Sequence, residues 1–179
     1  MSKIEVQTID APSGQNTVTI GDSNASTITL KSGATLTNFP ANSPAFAVVL
    51  DASQSLSNNV VTKLTFTSEL IDSDNAFSDS KFTVPSGKAG KYFFQAKVRA
   101  ANVSTSLSLF IYKNGSEVNV GYRSTGYSAG GIPYGGVNLI AVLDLSEGDY
   151  VEIYGDQNSG STNSVTTKLF QGFKLTWAY

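Results

Sequence analysis

Acidic side chains alternate along Asp72-Ser73-Asp74-Asn75, which is how an oxygen-donor loop for calcium begins. The sixth position of such a loop needs glycine for its sharp turn, and the twelfth needs a bidentate glutamate. Phe77 and Thr83 stand there instead, so the run reads as an Asx-turn between strands. Asp149, directly after Gly148, is likewise read as a turn aspartate. Carboxylate pairs are the next chemistry to weigh, since the chain carries 14 acids. A general-acid pair needs one member in an apolar pocket that raises its pKa. Only Asp144 lies inside an apolar run, and the strand period of two turns it away from Leu143 and Leu145. His and Cys both number 0, which removes imidazole bases, thiolate nucleophiles and the usual zinc and iron ligand sets. A serine nucleophile would then need a lysine base, and no Ser-x-x-Lys lies in a helical context. The expectation is no catalytic residue, no cofactor and no metal site: the chain is read as not an enzyme.

Binding chemistry is better represented. Tyr122, Tyr127 and Tyr134 stand with Arg123 among the glycines and serines of residues 121–136. Tyrosine offers contact area at low entropic cost while glycine and serine adapt. The stretch is therefore a candidate receptor-binding surface, or alternatively a long inter-strand loop packed on the domain. The 12 basic residues are scattered singly and the net charge is −2, so no nucleic acid partner is expected. No run approaches a membrane-spanning length, and Met1–Val6 lacks the apolar core of a secretory leader, so no membrane insertion is expected.

These residues must be positioned by strands. Strand signals recur at intervals of roughly ten residues, near residues 45–50, 60–66, 81–84, 91–100, 106–112, 117–122, 137–145, 150–154 and 166–177. Within 91–100, Tyr92, Phe94, Ala96 and Val98 form one face; Lys91, Gln95, Lys97 and Arg99 form the other, interrupted by Phe93. Leu107, Leu109 and Ile111 likewise oppose Ser106 and Ser108, but Phe110 and Tyr112 share the polar side. Aromatic residues on an otherwise polar face are candidates for a subunit contact. Phe93, Phe110, Tyr112 and Phe170 are accordingly the candidate subunit-interface residues. Lys113-Asn114-Gly115-Ser116 is a hairpin signal, because Asn-Gly accepts the positive φ angles of a type I′ turn.

Ahead of these strands Thr17-Val-Thr-Ile-Gly-Asp is echoed ten residues later by Thr27-Ile-Thr-Leu-Lys-Ser, and again at Thr35-Leu-Thr. Each unit is a short strand with a single apolar face, too small to offset its own chain entropy unless other chains cover it. An intertwined stem is the expected solution. Pro40 and Pro44 mark the hinge, giving a stem or attachment segment over 1–43 and a head over 44–179.

The head resembles the C1q family of jelly rolls. Phe66 is followed at the family spacing by Asp72 and Phe77, then by Gly90-Lys91-Tyr92-Phe93-Phe94. Val84 replaces the signature's second Phe, with Phe82 one strand period earlier, and Ala96 replaces its closing aromatic. Lys113-Asn114-Gly115, Leu143–Val151 and Phe170-Gln171-Gly172-Phe173 are further landmarks of the same kind. The resemblance implies a ten-stranded C1q/TNF-like jelly roll that forms a homotrimer, without the collagen-like stalk of the animal proteins. The first 40 or so residues resemble the stems of tail-fibre and other structural proteins of tailed bacteriophages, especially marine ones.

The expectation is thus an all-β, homotrimeric virion protein. Its stem would bind other virion proteins, and its head would bind a host cell-surface glycan or protein. A capsid decoration protein or head fibre without a receptor role, a secreted C1q/TNF-like binding module and a polysaccharide-cleaving virion enzyme are the alternatives.

Overall fold

Phe46, Val48 and Leu50 point inward from Ala45–Leu50 (β1), and the residues between them are half-buried on the opposite face. That alternation recurs through the chain, whose computed structural model describes residues 42–50, 52–101, 106–118 and 134–175. All of these belong to one unit, Pro40–Tyr179. The threonine-rich repeats of the expected stem lie outside the described residues.

The first sheet runs in the order β10 (Tyr134–Leu145), β7 (Gly90–Ala101), β12 (Asn163–Lys174), β1, β4 (Ser68–Asp72), and β2 (Gln54–Leu56) also pairs with β12. The second runs β5 (Phe77–Ser78), β6 (Lys81–Thr83), β11 (Tyr150–Asn158), β8 (Ser106–Lys113), β9 (Ser116–Glu117), and β3 (Thr62–Lys63) also pairs with β11. Every pair of these strands is antiparallel. Chain neighbours repeatedly fall in different sheets, so the connections cross between the layers and enclose one core. Where ten strands were expected, the described residues hold 12 strand segments, several of them only two or three residues long.

The strand expected at 60–66 contracts to β3 because that segment changes sheet. Leu64 N–H bonds to Ile153 O in the second sheet at 2.9 Å, and Thr67 N–H bonds to Val49 O in the first at 3.1 Å. The short strands β2, β4 and β5 carry too few alternating residues to be read from sequence. Between β8 and β9, Asn114 and Gly115 take φ of +52° and +77°, the I′ turn expected of Asn-Gly.

The spaced aromatics of the resemblance converge in the core. Phe46 lies 4.9 Å from Phe82, 5.3 Å from Phe77 and 4.8 Å from Phe170 between ring centroids. Phe66, Tyr92 and Phe94 complete the cluster. Full burial of each such ring contributes about 1.5–3 kcal/mol, and edge-to-face pairs add to it.

Candidate self-association surface

The face of the first sheet turned away from the core carries an apolar strip among its polar residues. Strand register assembles it from segments distant in sequence. One cross-strand row runs Val142, Phe93, Phe173, Ala45, with the rings of Phe93 and Phe173 5.3 Å apart. The next runs Ile140, Gln95, Gln171, Ala47, Ile71 across all five strands of the sheet path. Leu169 and Val49 follow, beside Lys97 and Asn138. Ile140, Val142 and Ile71 are 53%, 51% and 57% exposed, and Leu70 at the bulge in the β1–β4 pairing is 64% exposed. Scattered exposed aliphatics are ordinary; here they stand on the two edge strands with Phe93, Phe173, Ala45 and Ala47 between them, which makes the face a candidate interaction surface.

Of the residues expected at a subunit contact, Phe93 lies on this face and is half-buried. Tyr112 is also half-buried, but on the outer face of the other sheet, where its ring centroid lies 4.1 Å from that of Tyr154. Phe170 requires correction, and Phe110 lies off this face. Phe170 is 0% exposed, closed in by Phe46, Phe66, Phe77 and Phe94 of its own chain. Phe110 is 5% exposed on the outer side of β8. Phe170 has no surface left for a subunit contact. Tyr122 and Tyr127 lie outside the described residues, and Tyr134 opens β10 opposite Ala101. Sequence reasoning missed Ile140, Val142, Ile71 and Phe173. A signal for the first two was present: Val137–Leu145 is apolar on both parities, the mark of a strand covered on both sides.

Asp72 and Asp149 are engaged structurally. Both carboxylate oxygens of Asp72 accept backbone N–H bonds, from Ala76 and Phe77, at 2.9 Å each, which closes the loop four and five residues on rather than the two residues of the expected Asx-turn. Asp149 accepts from Lys113 Nζ at 2.8 Å, Asn114 Nδ2 at 2.7 Å and Ser146 N at 2.8 Å. These bonds, Lys113's foremost, pull its pKa down to about 2. Its stabilisation is therefore present above the ordinary 3.8 and is lost as pH falls from there towards about 2. Among the described residues no group of three or more acids, His or Cys is placed to hold a metal ion.

Lys168 is an unexpected cation inside the sandwich. It is 1% exposed, and its Nζ donates to Gln54 Oε1 and lies 3.5 Å from Thr65 Oγ1, with the Phe66 ring centroid 5.8 Å away. Among the described residues no carboxylate pairs with it, and burial lowers its pKa from 10.5 to about 8. Between those values the unfolded chain holds a proton that the folded chain has released, so stability rises with pH. Tyr92, its pKa raised to about 12 by burial and secondarily by Asp74, opposes this only above 10. Thermal melts are expected to show the midpoint climbing from pH 8 to 10, and Lys168→Met should flatten that rise. An unchanged slope in the variant would assign the dependence to other groups.

The fold defines a class, a sandwich of two antiparallel sheets closed around an aromatic core. Within that class it matches solved jelly rolls. The globular domain of zebrafish complement 1qA protein superposes with a TM-score of 0.56 at 20% identity, covering 75% of this chain and 99% of that one. Murine APRIL at pH 8.0 gives 0.54 at 14% identity, covering 73% and 98%. The same protein at pH 5.0 gives 0.52 at 13%, covering 73% and 99%. At these identities the likeness is one of fold, and the fold is the C1q/TNF jelly roll. No family model matches the chain, and no curated protein matches it in sequence.

Proposed function

We propose that this chain is a non-enzymatic, homotrimeric structural protein of a virion, in which the jelly roll forms a projecting head and the amino-terminal segment attaches to the particle. The observation that carries the trimer is the apolar outer face of the first sheet. Rows from Val142 to Ala45 and from Ile140 to Ile71 are what a further copy of the chain would cover, since a cyclic assembly buries such a patch on every member equally. The C1q and APRIL likenesses support the same arrangement. The virion placement is supported by the threonine-rich repeats between Thr17 and Phe39. The head then acts by adhesion, binding a host-surface glycan or protein.

Light scattering on the full-length protein should give a mass three times the 18.9 kDa of the chain. Val142→Glu places a charge on a half-exposed position, so the protomer tolerates it. At a covered interface, however, the unpaired charge costs on the order of 3–5 kcal/mol. The variant is expected at the single-chain mass with an unchanged circular dichroism spectrum. A variant that stays trimeric would remove this face from the interface. Saturable binding of labelled protein to host cells tests the adhesive role, and its absence favours capsid decoration.

A further inference from the structure

The centre of the apolar face is not apolar. Gln171 Nε2 donates to Gln95 Oε1 at 2.8 Å, and Gln95 Nε2 donates to Asn138 Oδ1 at 3.1 Å. Gln95 and Gln171 lie between Ile140 on one side and Ala47 and Ile71 on the other, and Asn138 stands on the edge strand β10 in the adjoining row. The Phe93–Phe173 row runs along one flank, and the row of Asn138, Lys97, Leu169 and Val49 along the other. A carboxamide has two N–H donors and an oxygen with two lone pairs. The chain of bonds uses one donor from each glutamine. Gln171 Oε1 and the Asn138 side-chain nitrogen have no partner among the described residues. In a single protomer these groups are open to water, because Asn138 is exposed and both glutamines are only half-buried.

Covering the face removes that water. Each polar group left unsatisfied then costs about 1–3 kcal/mol. Isoleucine, valine and phenylalanine alone discriminate weakly between one docking and another displaced by a strand spacing. The amides penalise every arrangement that fails to meet their remaining donors and acceptors. Each copy presents both kinds of group, so a donor of one copy can meet an acceptor of the next and the cycle closes without an orphan. A single buried Asn fixes register and copy number in coiled coils by the same physics, at some cost in stability.

We propose that the Asn138–Gln95–Gln171 amide chain sets the register and copy number of the assembly, while the apolar residues around it supply the affinity. This rests on the self-association reading of the preceding section. The test is the double variant Gln95→Leu/Gln171→Leu, which removes both glutamines and leaves, of the three amides, only the exposed Asn138 on the edge strand β10. Its mass distribution is compared with the wild type by light scattering after size exclusion, with circular dichroism reporting the fold. The wild type is expected as one trimeric species. The variant is expected to remain associated but to divide into at least two species of different copy number. If the branched leucines do not fold, Gln95→Met/Gln171→Met keeps the unbranched shape and serves the same purpose. A folded variant that remains a single trimer overturns the proposal and leaves the trimer reading standing. A folded variant that becomes monomeric also overturns it, because the amides would then be supplying affinity. A wild type at the single-chain mass overturns both.

Discussion

Gly172→Ala is expected to destabilise the domain more than any other single-methyl addition among the described glycines. A Cβ at that position would stand 2.6 Å from Phe94 Cδ1, 2.7 Å from Phe93 O and 3.0 Å from Phe46 Cε1. Relief is blocked on each side. Phe93 O is backbone, in the β7–β12 pairing where Gly172 is the partner of Phe94. Phe94 is 0% exposed, with Phe82, Tyr92 and Phe170 around its ring. Overpacking of a close-packed core costs about 1–3 kcal/mol and more where the backbone cannot yield. Gly172→Ala should therefore lower the thermal midpoint by many degrees, and Gly172→Val should give no folded protein. Gly155→Ala is the control, since its nearest contact is 3.2 Å to the tip of the Leu64 side chain, which can rotate aside. Equal melting shifts for the two alanine variants would mean that the β7–β12 packing is looser than these distances imply.

Much of the head was legible because its signals are local. The alternation in β7 puts Tyr92, Phe94, Ala96 and Val98 inward at 0–1% exposure, as the period of two requires. Asn114-Gly115 makes its hairpin because two residues suffice to specify it. The family spacing from Phe66 to Phe94 works for a related reason: Phe66, Phe77, Tyr92 and Phe94 all enter one core, so chain length between them is constrained by the sheets they must reach. The candidate surface was illegible because it depends on register between distant strands. Ile140, Gln95, Gln171, Ala47 and Ile71 become neighbours only through three separate pairings and one more across a bulge. A shift of one residue in any of them would send that strand's contribution to the core instead. In the stretch Leu169-Phe170-Gln171-Gly172-Phe173, large apolar side chains occur on both parities. Sequence alone leaves undecided which ring is core, and pairing with β7 decides for Phe170.

That decision yields the second large expected effect, since Phe170→Ala tests core against interface directly. The ring lies 4.8 Å from Phe46, 5.8 Å from Phe66, 6.0 Å from Phe94 and 6.1 Å from Phe77 between centroids, with no exposed surface. Removing a fully buried phenylalanine costs about 3–5 kcal/mol through lost transfer energy and the cavity left behind. The urea midpoint should fall by at least ~1 M. An assembly's apparent stability depends on protein concentration, whereas loss inside a protomer lowers it by the same amount at every concentration. Phe93→Ala, on the outer face against Phe173, should behave in the opposite way, with little change in the folding of the protomer and dissociation at higher concentration than the wild type. Urea titrations of both variants over a wide range of protein concentration separate the two roles. A Phe170→Ala protein that keeps the wild-type midpoint but dissociates would move that ring to the interface and with it the register of β12, because a strand cannot exchange one inward side chain without turning its neighbours Lys168 and Gly172 outward as well.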